Sequence, residues 1–287
     1  MKGIYAAVLT PVDDRFAPDS KRAVPYYRDL LQRGCDGLNL LGTTGEAMSF
    51  SIKQRAGFME AIAASGLPMP RMMVGTGAAS LEDAVTLTGT AFACGFAAAL
   101  IMPPFFFRDA GDDGILHFYA TLFARANPPR SGVLLYNFPR MSGIAFRPPF
   151  VARLLAEFPE TIVGMKDSSN DARLQTEILA AHRGFTVFPG SEGDLAAAKR
   201  RGVAGCISGS VALWPELARS VFRDGDDAQG ERLAKRRAAL EDVPFIPAVR
   251  YLTARERGEP QWERAIPPQR SLTAEERRAL GSERERG

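Results

Sequence analysis

Eight short runs rich in β-branched and apolar residues alternate along this chain with longer segments of helical period, and no other feature restricts the fold as much. The strand-like runs fall at residues 5–9, 38–41, 72–75, 98–102, 133–136, 162–166, 186–188 and 205–207. Helical segments follow them at about 21–33, 51–65, 80–94, 112–126, 148–158, 171–183, 193–201 and 212–223, with ends placed to about 2–4 residues. Ser51 and Ser80 stand where N-caps belong, Ser80 with Asp83 three residues on. Strict alternation of this kind requires parallel strands joined by crossover helices. Eight strand and helix pairs predict an α/β fold closed into a (β/α)₈ TIM barrel over residues 1–224; period alone leaves an open doubly wound sheet as the alternative.

The remainder, 225–287, reads as a helical extension packed on the barrel. Residues 226–257 suggest two helices broken near Val243-Pro244, and 273–280 one more. The link at 260–271 carries Pro260, Pro267 and Pro268 and should be extended, because proline removes donors and restrains the residue before it. A chain of 287 residues, 46% hydrophobic and 24% charged, suits one large domain with such an appendage.

A net charge of +3 is too small to argue for nucleic acid. The clusters Lys235-Arg236-Arg237 and Arg277-Arg278 lie among Glu241, Asp242, Glu275 and Glu276, as on solvated helix faces. Cys35, Cys94 and Cys206 are far apart and odd in number, which suits free thiols in a reducing cytoplasm better than a disulfide framework. No long apolar run builds up before Asp13, so neither a leader peptide nor a membrane span is expected there.

In such a barrel the chemistry belongs to the carboxyl ends of the strands. Lys166 ends the sixth run and should point inward near the mouth. Burial disfavours the charged form of an amine, and the neutral amine is the form that attacks a carbonyl. Position alone also allows Lys166 to pair with Asp167 or to snorkel to solvent. Gly42-Thr43-Thr44-Gly45-Glu46 links a strand to a helix, so its amides and hydroxyls can gather around a carboxylate near a positive helix terminus; the plain alternative is a βα turn. Tyr136 closes the fifth run, where its hydroxyl can shuttle a proton or serve only in packing.

Gly75-Thr76-Gly77 lacks the third glycine of a dinucleotide fingerprint. His117 and His182 fall inside predicted helices, away from the strand ends, and make poor bases or metal ligands.

Taken in order, Gly42-Thr43-Thr44-Gly45-Glu46, Leu135-Tyr136-Asn137-Phe138-Pro139 and Gly164-Met165-Lys166-Asp167 resemble the signature of the dihydrodipicolinate synthase and N-acetylneuraminate lyase family. The likeness runs from Ala6-Ala7-Val8-Leu9-Thr10-Pro11 to Leu272-Thr273-Ala274-Glu275-Glu276-Arg277, nearly the whole chain. It implies a (β/α)₈ barrel with C-terminal helices, assembled as a homodimer or homotetramer. It also implies that Lys166 forms a Schiff base with pyruvate, that Tyr136 moves protons, and that Thr43 and Thr44 receive the pyruvate carboxylate, with Gly45 beside them in the substrate site. No metal or organic cofactor is then needed, since the protonated imine is the electron sink.

Two positions depart from the synthase branch of that family. Its partner-subunit tyrosine aligns with Phe106 in Pro104-Phe105-Phe106-Phe107, read here as packing residues at a subunit contact. Its substrate-gripping arginine aligns with Met141, with Arg140 adjacent as a substitute. These departures favour aldol or retro-aldol cleavage of a 2-oxo-3-deoxy sugar acid or similar 4-hydroxy-2-oxo acid. Alternatives are condensation of pyruvate with aspartate semialdehyde, dehydration of a 2-oxo-3-deoxy acid, or a 2-oxo-acid-binding barrel without turnover. Ser191, Glu192 and Ser208, at the ends of the seventh and eighth runs, are candidates to contact the distal part of the substrate.

Overall fold

A computed structural model describes residues 1–284, so 285–287 of the predicted extension lie outside the described residues. The strands are β1 (Gly3–Ala7), β2 (Gly37–Leu40), β3 (Met72–Gly75), β4 (Ala98–Ile101), β5 (Val133–Asn137), β6 (Ile162–Asp167), β7 (Thr186–Pro189) and β8 (Gly205–Ser208). The helices of the barrel are α1 (Ser20–Gln32), α2 (Ile52–Ala63), α3 (Leu81–Ala93), α4 (Gly111–Ala126), α5 (Pro139–Ser142), α6 (Pro148–Glu157), α7 (Ala172–Ala181), α8 (Leu195–Arg201) and α9 (Pro215–Asp224). The appended helices are α10 (Asp227–Ala238), α11 (Phe245–Arg257) and α12 (Ala274–Arg284).

All strand pairs are parallel, in the order β7-β6-β5-β4-β3-β2-β1-β8. At the remaining seam the Ala204 N–H donates to the Val187 carbonyl at 2.9 Å, which nearly closes the (β/α)₈ barrel and removes the open-sheet alternative.

Local chemistry sets the helix starts. The Ser51 hydroxyl accepts from the Gln54 N–H while the Gln54 side chain accepts from the Ser51 N–H, a reciprocal capping box. Ser80 caps α3 through the Asp83 N–H, and Asp171 caps α7 through the Arg173 and Leu174 N–H groups. Each cap contributes about 0.5–2 kcal/mol.

Alternation along the strands sorts the core. Tyr5, Met73, Leu100, Tyr136, Phe188 and Ile207 belong to a cluster built almost entirely from strand residues, the barrel interior. Residues of opposite parity, such as Ile4, Val74 and Cys206 on one side and Ile101, Leu135 and Met165 on the other, pack under the helices.

One irregularity matters for the site. Val133 pairs with Ile162 but Leu134 pairs with Gly164, so Val163 is an extra residue in β6. This bulge advances β6 by one, and Tyr136 meets Lys166 where an unbroken register would bring Met165.

The extension shares the core of the N-terminal half: Val249, Leu252 and Leu280 join the cluster that contains Tyr27 and Leu30 of α1. Its link is not extended from the start, as the prolines suggested. It begins with a 3₁₀ turn at Pro260–Glu263 that buries Trp262 completely, ring centroids 4.7 Å from Tyr26. No helix among the described residues is long and apolar enough to cross a membrane.

Candidate active site

Lys166 and Tyr136 are register partners on β6 and β5, and partners on parallel strands face the same side. The Lys166 side chain is 4% exposed, with Nζ 4.5 Å from the centroid of the Tyr136 ring. Burial this deep removes the snorkelling alternative. The Tyr136 hydroxyl in turn lies 3.1 Å from Oγ1 of Thr43, at the end of β2. Three strand ends thus bring an amine, a phenol and an alcohol into one short chain.

Asp167 does not compete for the amine. As the next residue it faces the opposite side of the sheet, where its carboxylate accepts from Asn137 Nδ2 (2.7 Å), Gln175 Nε2 (2.9 Å), Ser169 Oγ (3.0 Å) and the Ser169 N–H (3.2 Å). Asn137 closes the network by accepting from the Phe146 N–H at 3.0 Å. Among the described residues Lys166 has no ion-pair partner.

The Gly42–Glu46 loop is bracketed by two side-chain-bearing residues in left-handed backbone, Leu41 (φ 48°) and Glu46 (φ 52°). That conformation is uncommon for such residues and persists where surroundings enforce it. Gly75 permits it, since a Cβ there would lie 2.2 Å from the Leu41 carbonyl oxygen. The Glu46 and Ala47 amides turn back onto the Thr43 and Gly42 carbonyls. Among the described residues the amides of Thr43, Thr44 and Gly45 have no such acceptor, so three adjacent donors are left without a backbone partner. The predicted helix terminus takes no part in this: a 3₁₀ turn, Ala47–Ser49, intervenes before α2. Thr44 is buried against Gly209, where a Cβ would meet its Oγ1 at 2.6 Å.

A sequence profile of the Dihydrodipicolinate synthetase family matches residues 1–277. The chain belongs to this family. It is 32% identical over 255 residues to a DapA-like lyase of Chloroflexus aurantiacus, covering 87% of this chain and 85% of that protein. It is 28% identical over 263 residues to the probable 2-dehydro-3-deoxy-D-pentonate aldolase YjhH of Escherichia coli, covering 86% of each. Its backbone superposes on the crystal structure of dihydrodipicolinate synthase from Agrobacterium tumefaciens with a TM-score of 0.93, at 29% identity over 100% of this chain and 99% of that one. Members of the dihydrodipicolinate synthetase family are lyases and aldolases, and this chain is an enzyme of that kind.

Other predicted residues of this family member fall differently. Arg140 is exposed on the one-turn helix α5, while Met141 lines a cavity of about 230 Å³ that also reaches Thr43, Tyr136, Met48 and Phe105. The turn begins at Pro139, and Met141 is itself 46% exposed at the rim of that cavity. Ser208 shares the parity of Cys206 and so faces the helices, its hydroxyl 3.3 Å from that of Ser210; Ile207 is the β8 residue that faces the interior. Ser191 accepts from the Gly193 N–H and serves its own turn. Glu192 is fully buried, and neither carboxylate oxygen has a partner among the described residues.

Two buried arginines carry no sequence signal. Arg55 of α2 lines the same cavity and donates from Nη2 to the Gly75 (2.9 Å) and Gly77 (3.2 Å) carbonyls; burial lowers its guanidinium to about 10. Arg250 of α11 reaches Glu46 from the appended helices. Both look, in sequence, like the solvated face of a helix.

Proposed function

We propose that the enzyme is a class I lyase in which Lys166 forms a Schiff base with the pyruvate portion of a 4-hydroxy-2-oxo acid, such as a 2-oxo-3-deoxy sugar acid. The reading rests on one observation: the buried Lys166 amine faces Tyr136, whose hydroxyl is bonded to Thr43. The free amine attacks C2, water leaves, and the resulting iminium draws electrons from the C3–C4 bond as the C4 hydroxyl gives up its proton. The aldehyde departs, the enamine is protonated at C3, and hydrolysis returns the amine and pyruvate. Tyr136, coupled to Thr43, is positioned to accept and return the protons. The substrate carboxylate belongs against the amides of Thr43, Thr44 and Gly45.

Arg140 is exposed and does not line the cavity that Met141 lines, which weighs against its gripping the carboxylate of aspartate semialdehyde as the acceptor. The iminium supplies the electron sink, so neither metal nor organic cofactor enters the scheme, and activity should survive exhaustive chelation. We assign the enzyme to a homo-oligomer, with Phe106 and Phe107 at a contact between subunits. Borohydride reduction in the presence of pyruvate tests the central claim: one covalent adduct should form, on Lys166, and be absent from Lys166→Ala. Adduct on another residue, or none, would overturn it. A panel of 4-hydroxy-2-oxo acids, with pyruvate release as readout, then separates cleavage from dehydration and from condensation.

A further inference from the structure

The loop that offers its amides to the substrate carboxylate is held from outside the barrel. Glu46 closes that loop and is 5% exposed; Arg250, from α11, is 1% exposed. Arg250 donates to Glu46 Oε2 from Nε at 2.7 Å and again from Nη2. Nη2 also donates to the carbonyl of Thr10, just beyond β1, at 3.0 Å, and Nη1 to the carbonyl of Trp262 at 3.4 Å. One guanidinium therefore ties together the β1 end, the β2–α2 loop and the link beyond α11. The planar fork sets direction as well as distance, which a lysine ammonium cannot reproduce. Glu46 needs this restraint because its backbone sits in the left-handed region, two residues after Thr44.

We infer that Arg250 is a positioning residue for the pyruvate-carboxylate cradle, holding Glu46 so that the Thr43–Gly45 amides converge. This rests on the Schiff-base reading above. Arg250 touches neither substrate nor Lys166; it acts through Glu46. The appended helices thereby take part in substrate binding although none of their residues supplies a reacting group. A buried ion pair is a weak source of net stability, since desolvation offsets most of the attraction.

The test is the pyruvate concentration that half-saturates borohydride-trapped adduct on Lys166, measured by intact mass, beside the thermal midpoint of each protein. Arg250→Met and Glu46→Gln should raise the half-saturating concentration about ten- to a hundredfold while Lys166 remains the labelled residue. Arg250→Lys should recover part of the loss, and it keeps the test open if the methionine variant fails to fold. Arg33→Met is the control. Arg33 ties α1 to Glu216 of α9 and Glu256 of α11 at 2.7 and 2.9 Å without touching the loop. It should lower the midpoint and leave half-saturation within about twofold, the scatter expected of a site with no shared partner. Wild-type half-saturation in both Glu46→Gln and Arg250→Lys, or a rise in Arg33→Met that tracks its lost stability, would overturn the inference. Absence of any adduct in the unaltered protein would instead sink the Schiff-base reading.

Discussion

Lys166 and Asp167 are neighbours in β6 with opposite duties: one amine faces the barrel interior over Tyr136, and one carboxylate faces the helices and holds four donors. Strand geometry separates them, because successive side chains point to opposite faces. The outer network fixes the ends of β5 and β6, and the inner pair inherits its precision.

Tyr136→Phe tests the inner side. It removes the hydroxyl and keeps the ring that packs against Lys166 and Phe138. Turnover of a 4-hydroxy-2-oxo acid should fall by about 10²–10⁴-fold. Adduct with pyruvate should still be trapped, more slowly. Unchanged turnover would remove Tyr136 from the proton path.

Asp167→Ala tests the outer side. Asn137 and Gln175 are buried and would each lose an acceptor, at about 1–3 kcal/mol per orphaned donor. Urea unfolding should show that loss, and the trapped adduct should weaken with it, because β6 is no longer anchored.

Burial pushes the Cys35 thiol up to about 12 and the Cys206 thiol well above its ordinary range. The thiolate is the reactive form, so both should resist a thiol reagent in the native enzyme at about pH 8 and react only after unfolding. Rapid native labelling at either position would contradict their placement under the helices.

Arg270 and the Thr273 amide hold the Glu276 carboxyl down to about 2, below its ordinary 4.5. A depressed value means that the folded state prefers the carboxylate. The contribution is complete above the ordinary value and is lost as pH falls toward 2. Carboxyl NMR titration should place the Glu276 midpoint near 2, and Arg270→Met should return it toward 4.5.

Phe106 and Phe107 are 75% and 69% exposed, packed edge to face at 5.1 Å. Side chains of this size are costly to leave in water. The Phe106→Asp, Phe107→Asp double variant should sediment as a smaller species with unchanged far-ultraviolet circular dichroism. Unaltered sedimentation would remove Phe106 and Phe107 from the proposed contact between subunits.

The alternation of strand and helix was legible because eight runs repeat the same contrast of length and periodicity, and Ser51 and Ser80 announce their helices by a cap. That Lys166, Tyr136 and Thr43 lie close together was legible for a related reason: each stands at or just beyond the carboxyl end of a strand, and those ends converge in a barrel. What escaped depends on partners remote in the chain. Arg250 meets Glu46 across 204 positions. The Val163 bulge depends on how two strands pair, which composition does not record. Arg140 and Met141 sit on a one-turn helix where both are exposed and Met141 alone lines the cavity, and Ser208 lies one step out of phase with Ile207.

The bulge at Val163 carries a hazard, since strands with an irregular register can settle one step away from the correct one. In β6 such a slip would exchange the two faces, admitting a carboxylate to the cup and expelling the amine. Asp167 can reach Asn137 of β5 and Gln175 of α7 from one side only, so the misaligned barrel would forfeit both bonds together. Bonds on the outside of the wall thus act as a proofreading step for what is placed within it.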